Sequence, residues 1–228
     1  MTRAFELQAP PELGYRRKAL FALELLDPVT LERITDGVEV KADGLAGVPR
    51  VNSGGLFVWL DEDASGLQSV AINPMQQPYD AVLLARGDLT LPPSPSPLTT
   101  IELPPRVDYP LPPGITAARG TLNEDSGTPA TPVTGASIEL RWLDDDGVMW
   151  HQGRPVSRTN AGGDFLAILR LSPADIPQLD SAGRLTVRLQ VTRGSDERRS
   201  LEFKLPQGRV ADPSTSSVLI AAWNDLQP

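Results

Sequence analysis

Few residues in this sequence belong to types that do chemistry, and their spacing limits what they can do. His151 is the one histidine, in the run Trp150-His151-Gln152-Gly153. A Ser-His-Asp arrangement needs a nucleophile within hydrogen-bond reach of the base, and no Gly-x-Ser-x-Gly elbow is present. Zinc needs three or four His, Cys or carboxylate ligands; one histidine and no cysteine leave zinc, thiolate sites and disulfides out of expectation. Asp144-Asp145-Asp146-Gly147 and Asp61-Glu62-Asp63 carry enough charge for calcium. An EF-hand loop, however, needs alternating ligands and a glutamate at its twelfth position. Adjacent carboxylates in a hairpin point apart, so both runs read as turn chemistry, with a weak surface cation site as the alternative. Among 29 acidic residues no spacing singles out a pair for glycoside hydrolysis. A Lys–Asn isopeptide bond would have to use Lys18, Lys41 or Lys204, the only lysines, of which Lys18 stands on the first predicted strand. The chain therefore reads as non-enzymatic, with no catalytic residue, no cofactor and no metal.

Trp142, Trp150 and Trp223 are the type that stacks on sugars. Trp142 falls on an inward register, Trp150 beside a turn and Trp223 near the C-terminal end, a scatter that favours separate packing roles. A carbohydrate- or cell-surface-binding module stays as the rival function. Net charge of −8 argues against nucleic acid as a partner. One local exception runs from Arg184 to Arg209, where Arg184, Arg188, Arg193, Arg198, Arg199, Lys204 and Arg209 face Asp196, Glu197 and Glu202. It reads as the solvated outer face of two strands, with docking of an acidic partner as the alternative. No run approaches the ~20 apolar residues of a membrane span, and Ala19–Leu26 is too short and carries Glu24, so no signal peptide is read. The expectation is cytoplasmic synthesis.

These residues are positioned by a stretch that occurs twice. Arg50-Val51-Asn52-Ser53-Gly54-Gly55-Leu56-Phe57 and Arg158-Thr159-Asn160-Ala161-Gly162-Gly163-Asp164-Phe165 both read Arg-x-Asn-x-Gly-Gly-x-Phe and run into apolar residues. Asn and Gly tolerate positive φ and build a tight turn, and the Phe opens a strand. The copies lie too far apart for a solenoid, whose period is about 20–50 residues. Two tandem domains of one fold follow. The 23 Pro and 19 Gly residues suit many short strands and few helices.

The alternation of apolar and polar residues predicts strands at 15–26, 38–42, 57–60, 67–72, 81–85 and 98–103, then 115–122, 138–142, 185–191, 201–205 and 217–223, with Val148 to Thr159 leading into the second copy of the repeat. One helical turn is expected at Ser172-Pro173-Ala174-Asp175. The predicted fold class is all-β: two tandem immunoglobulin-like or prealbumin-like β-sandwiches joined by a Pro-rich linker. The expected parts are an arm at 1–14, a first sandwich at 15–103 with a Pro-rich loop at 91–97, a linker at 104–113, a second sandwich at 114–223 and a tail at 224–228. The linker is read as a semi-rigid spacer.

Residues Ile115 to Gly194 resemble the carboxypeptidase regulatory-like domains of the prealbumin (transthyretin-like) superfamily. The matching pieces are Gly120-Thr121-Leu122, Pro132-Val133-Thr134-Gly135-Ala136-Ser137-Ile138-Glu139-Leu140, Thr159–Phe165 and Gly183–Val191. In the first half the matching pieces are Asp36-Gly37-Val38-Glu39-Val40 and Asn52–Phe57. This resemblance implies a sandwich that accompanies other modules or acts as a spacer, and implies no peptidase chemistry. The segment from Arg17-Lys18-Ala19-Leu20 through Val51-Asn52-Ser53-Gly54-Gly55-Leu56-Phe57-Val58-Trp59-Leu60 is similar to accessory proteins of phage-tail-like contractile injection systems. That similarity implies a structural or adaptor subunit of an assembled particle, released with it, whose partners are other protein subunits.

If Phe57 and Phe165 point inward, Trp59, Ala167 and Leu169 do so too. Leu56, Val58, Leu60, Leu166 and Ile168 then face out. Leu20, Ala22 and Leu26 repeat the apolar excess on the first strand. Either a second layer or the sister domain covers these outward residues, or they dock another protein chain.

Overall fold

The computed structural model describes residues 19–60, 63–214 and 216–228. The predicted arm at 1–14, the start of the first predicted strand, Lys18, Asp61 and Glu62 lie outside the described residues. The chain is all-β and forms two sandwiches. The first is built from Phe21–Leu26 (β1), Glu39–Asp43 (β2), Arg50–Val51 (β3), Phe57–Trp59 (β4), Ser69–Asn73 (β5), Val82–Ala85 (β6) and Leu98–Glu102 (β7). Its sheets run β3-β4-β1-β7 and β2-β5-β6. The second contains Thr116–Asn123 (β8), Ser137–Leu143 (β9), Trp150–Gln152 (β10), Ser157–Arg158 (β11), Asp164–Leu169 (β12), Arg184–Arg193 (β13), Asp196–Arg199 (β14), Phe203–Pro206 (β15), Val210–Ala211 (β16) and Ile220–Ala222 (β17). One sheet centres on β9 and β13; the other places β8 between β12 and the short β16 and β17.

The two sandwiches share their wiring. β1 pairs antiparallel with β4 and parallel with β7, as β8 does with β12 and with β16 and β17. The β2-β5-β6 sheet has its match in β9-β13-β15. They differ at β3, which joins β4, whereas its counterpart β11 joins β9 in the opposite sheet.

Alternation fixes which face each strand buries. Phe21, Leu23 and Leu25 of β1 enter the first core with Phe57 and Trp59, whose ring stacks on Phe21 at 4.4 Å. Leu185, Val187, Leu189 and Val191 of β13 enter the second core with Ile138, Leu140, Trp142, Phe165 and Leu169. The repeated turn is closed by the same pair of backbone-to-asparagine bonds in both copies, the second adding one from Asn160 Nδ2 to Asp164 Oδ2 at 3.1 Å. Asn52 Oδ1 accepts from Gly54 N and Leu56 N at 2.9 Å each; Asn160 Oδ1 accepts from Gly162 N at 2.8 Å and Asp164 N at 2.9 Å. Gly55 and Gly163 hold φ of +76° and +78°, where a side chain is strained.

Three expectations are corrected. Ser172–Asp175 is a turn without a helix, because the Asp175 carboxylate takes the Ser172 N–H at 2.6 Å and closes the turn on itself. Short 3-10 turns occur instead at Arg86–Asp88, Ser217–Leu219 and Trp223–Asp225, so of 217–223 only Ile220–Ala222 is strand. Residues 224–228 fold back: Leu226 is buried, and Gln227 exchanges backbone hydrogen bonds with Arg199 at 2.8 and 2.9 Å.

Candidate functional site

The residues that organise the molecule's outer surfaces are those following the repeated turn. Aligning Phe57 with Phe165 pairs Val58 with Leu166 and Leu60 with Ile168, and the strand pairing matches Leu23 with Gly120, hence Leu20 with Ala117. The two sandwiches therefore carry the same outward strip, and the structure treats the copies differently. Leu166 and Ile168 are 0% and 1% exposed, and with Ala117 they belong to the hydrophobic cluster of the first sandwich. Both faces of β12 are thus buried, one in its own core and one against the sister domain. Of the two alternatives, cover or docking to another chain, Leu166 and Ile168 take the first: the sister domain of this chain covers them. Leu56, Val58 and Leu60 are half-buried. Val58 lies between Arg50 on β3 and Ala22 on β1, with Leu98 of β7 beyond.

What holds the sister domain on β12 is legible one residue past the strand. Arg170, on the same face as Leu166 and Ile168, donates to both carboxylate oxygens of Glu102 at 2.7 and 3.2 Å and to Pro28 O at 2.6 Å. A planar guanidinium matches a carboxylate in this forked geometry. Arg170 and Glu102 are both only 23% exposed, so the pair is better shielded from solvent than an ordinary surface ion pair.

The linker is a structural part of the joint. Tyr109 is buried, and its hydroxyl donates to Asp27 at the end of β1 at 2.8 Å, beside the Tyr79 hydroxyl at 2.7 Å. The N–H groups of Val29 and Thr30 complete the set on Asp27 Oδ1 at 2.8 and 2.7 Å. Burial works to raise the Asp27 pKa, but Tyr79, the Thr30 N–H, Tyr109 and the Val29 N–H together hold it below the usual carboxylate range. Burial first, then donation to Asp27, pushes both tyrosines well above their ordinary value. Backbone bonds from Asp80 N to Pro104 O and from Arg106 N to Pro78 O fasten the same segment. The Pro-rich stretch expected to be a spacer is packed onto the first sandwich because its one aromatic residue reaches a buried carboxylate.

The chemistry-bearing residues are occupied by structure. The His151 ring stacks on Trp142 at 4.4 Å, with Nε2 3.7 Å from Asp144 Oδ2. Asp144 Oδ1 accepts from Val148 N and Met149 N at 3.0 and 3.1 Å, which is turn chemistry. Asp63 accepts from Ser65 N at 2.9 Å in the same way. Among the described residues no group of three or more His, Cys, Asp or Glu is placed to hold a metal. Lys41 pairs with Glu39 at 2.7 Å and Lys204 donates to Thr186 Oγ1 at 2.6 Å, both on exposed positions.

Each tryptophan of the sugar-stacking candidates has a covered face: Trp142 by His151, Trp150 by the Arg188 guanidinium at 4.2 Å, and Trp223 by Arg198 at 4.6 Å. In the basic stretch Arg184 pairs with Asp180, Arg193 with Glu124 and Arg198 with Asp196, whereas Arg188, laid over the Trp150 ring, keeps a buried Nε without a hydrogen-bond partner among the described residues.

No protein-family model and no curated protein matches the chain. Among solved structures it is similar to GBS52, the minor pilin of Streptococcus agalactiae, at 9% identity over 84% of this chain and 93% of that one, with a TM-score of 0.26. A superposition this loose transfers no property of the pilin to this chain.

Proposed function

We propose that the chain is a non-enzymatic structural or adaptor subunit that docks other proteins through the outer face of β4 and β1, in the setting of a phage-tail-like contractile injection particle. The observation that carries the docking is the equivalence of two strips. Leu166 and Ile168 form a surface that binds a folded domain inside this chain. Val58 and Leu60 are the duplicate of that surface and remain half-exposed. Apolar side chains at matching positions in both copies fit a shared role, and one copy already performs it. The particle setting rests on the resemblance over residues 17–60.

The test is Val58→Asp and Leu60→Asp in the producing cell. A substitution at a half-exposed strip changes stability by roughly 0.5 kcal/mol, so thermal unfolding stays within a few degrees of the parent chain. Sedimented particles should contain the parent chain and lack both variants. A large fall in melting temperature would place these residues in the core, and a parent chain that sediments only as a free monomer would remove the particle setting.

A further inference from the structure

Where the two sandwiches and the linker meet, a cleft of about 370 Å³ opens, lined by Asp80, Arg106, Asp108, Arg119, Arg158 and Asn160. We propose that this cleft binds an acidic peptide segment, taking its carboxylate on Arg158 and Arg119 and the backbone N–H groups beside it on Asp80. The proposal rests on the docking reading and adds a second, polar contact to it.

Three guanidinium groups converge here from separate pieces of the chain: Arg106 from the linker, Arg119 from β8 and Arg158 from β11. Arg106 is paired with Asp108 at 3.1 Å. Arg119 shares its face of β8 with Ala117, at the margin of the buried joint, and gives one donor to Tyr109 O at 3.3 Å. Arg158 is exposed and has no hydrogen bond or ion pair among the described residues, so its fork of donors is open to a ligand. Arg158 is also the first residue of the second repeat, whose Asn160 builds the turn forming the cleft's other wall.

Asp80 supplies the complementary half. Its backbone N–H is fastened to Pro104 O, yet its half-buried carboxylate accepts no hydrogen bond among the described residues. Burial raises its pKa, with Arg158 and then Arg106 drawing it back from a distance. A carboxylate sheltered from water without a donor costs stability that a ligand N–H restores. A peptide carrying Asp or Glu offers both parts at once, an anion for the arginines and amide donors for Asp80. The lining contains no aromatic ring, so a sugar finds no face to stack on. The volume lies at the small end of ligand pockets, roughly 300–1,000 Å³, room for one side chain and its flanking peptide groups. Because the walls come from both sandwiches and the linker, the cleft is complete only while the joint is closed, and the clamped linker keeps it preorganised.

The experiment is a titration of the isotope-labelled full chain, followed by amide chemical shifts. The ligands are Ac-Gly-Glu-Gly-NH2, its Gln counterpart and free glucuronate. The Glu peptide should shift amides around Asp80, Arg106, Arg119 and Arg158. The Gln peptide should bind at least tenfold more weakly. Arg158→Gln should cost about tenfold with the rest of the spectrum unchanged, and Arg119→Gln should do the same from the opposite wall. Equal binding of the Glu and Gln peptides, shifts confined to other surfaces, or parent-like affinity in both variants would overturn the proposal. Tighter binding of glucuronate than of the Glu peptide would overturn the peptide assignment. Val58→Asp should leave this titration unchanged, so failure here is separable from failure of the β4 docking face.

Discussion

Leu166→Ala tests whether the two sandwiches form one body. Leu166 is fully buried on the outer face of β12, within the cluster that contains the first sandwich's core. Truncating a buried leucine costs about 2–5 kcal/mol, more where the surroundings cannot collapse into the space. This site lies between β12 and the core cluster of the first sandwich, which resists collapse and places the cost in the upper half of that range. If both sandwiches unfold together, the chain behaves as a unit of 228 residues, for which about 1 kcal/mol shifts the midpoint by roughly 2–4 °C. The expected fall is therefore about 7–20 °C. Val58→Ala, at the equivalent but half-exposed position, should fall by only a few degrees. Calorimetry adds a second reading: the parent chain should unfold in one transition, and Leu166→Ala should separate it into two as the domains lose their shared cluster. Equal shifts in the two variants, with one transition kept in each, would refute the claim that β12 is glued to the sister domain.

The duplicated turn gives an asymmetric prediction. A Cβ on Gly163 would stand 2.4 Å from Leu122 O, a backbone atom that cannot yield, whereas one on Gly55 first meets the Thr35 methyl at 3.1 Å. Gly163→Ala should therefore lower the urea midpoint clearly more than Gly55→Ala, although both residues hold positive φ; equal effects would show that strain alone decides. The Asp27 cluster predicts both ends of the pH profile. Asp27 has a lowered folded pKa, so its contribution is present above about pH 4 and is lost as pH falls through the folded value. Tyr79 and Tyr109 have raised values, so theirs is present below about pH 10 and is lost as pH climbs beyond it. Asp27→Asn should flatten the acid arm in urea titrations and let two of the three tyrosines ionise earlier by ultraviolet absorbance. Unchanged tyrosine titration would sink the assignment.

How much of this was readable beforehand follows from what is local. The Asn-x-Gly-Gly turns were legible because one asparagine and one positive-φ glycine determine them with no help from elsewhere. The inward set of β13 was legible because period-two alternation is itself the record of burial. Which of two like strips is covered was not legible: Val58-Trp59-Leu60 and Leu166-Ala167-Ile168 have the same pattern, and what separates them is a contact with the sister domain, distant in sequence. The missed signals were single residues. Tyr109 is hidden among prolines, Arg170 stands one residue past a strand end, and Asp27, beside Pro28 after the first strand, carries no sign in the sequence that it is the buried acceptor tying strand, loop and linker together.

Those single residues decide whether the joint bends. Domain interfaces within a chain allow motion unless they are large and apolar, and here three ties act on different freedoms. The Leu166–Ile168–Ala117 patch opposes separation. The forked Arg170–Glu102 pair, with Pro28 O on the same guanidinium, opposes rotation about that patch. Tyr109 on Asp27 removes the slack that a flexible linker would leave. A surface ion pair alone is worth about 0–1 kcal/mol, too little to fix an angle, but it needs only to choose among orientations that the apolar patch already holds together. The strip on β4 and the cleft beside Arg158 then keep a fixed separation and direction. If these two surfaces are the contacts proposed above, one rigid body carrying both would bind a partner with a higher effective concentration than domains that swing, a physical advantage that a tyrosine and a buried carboxylate on the linker would supply.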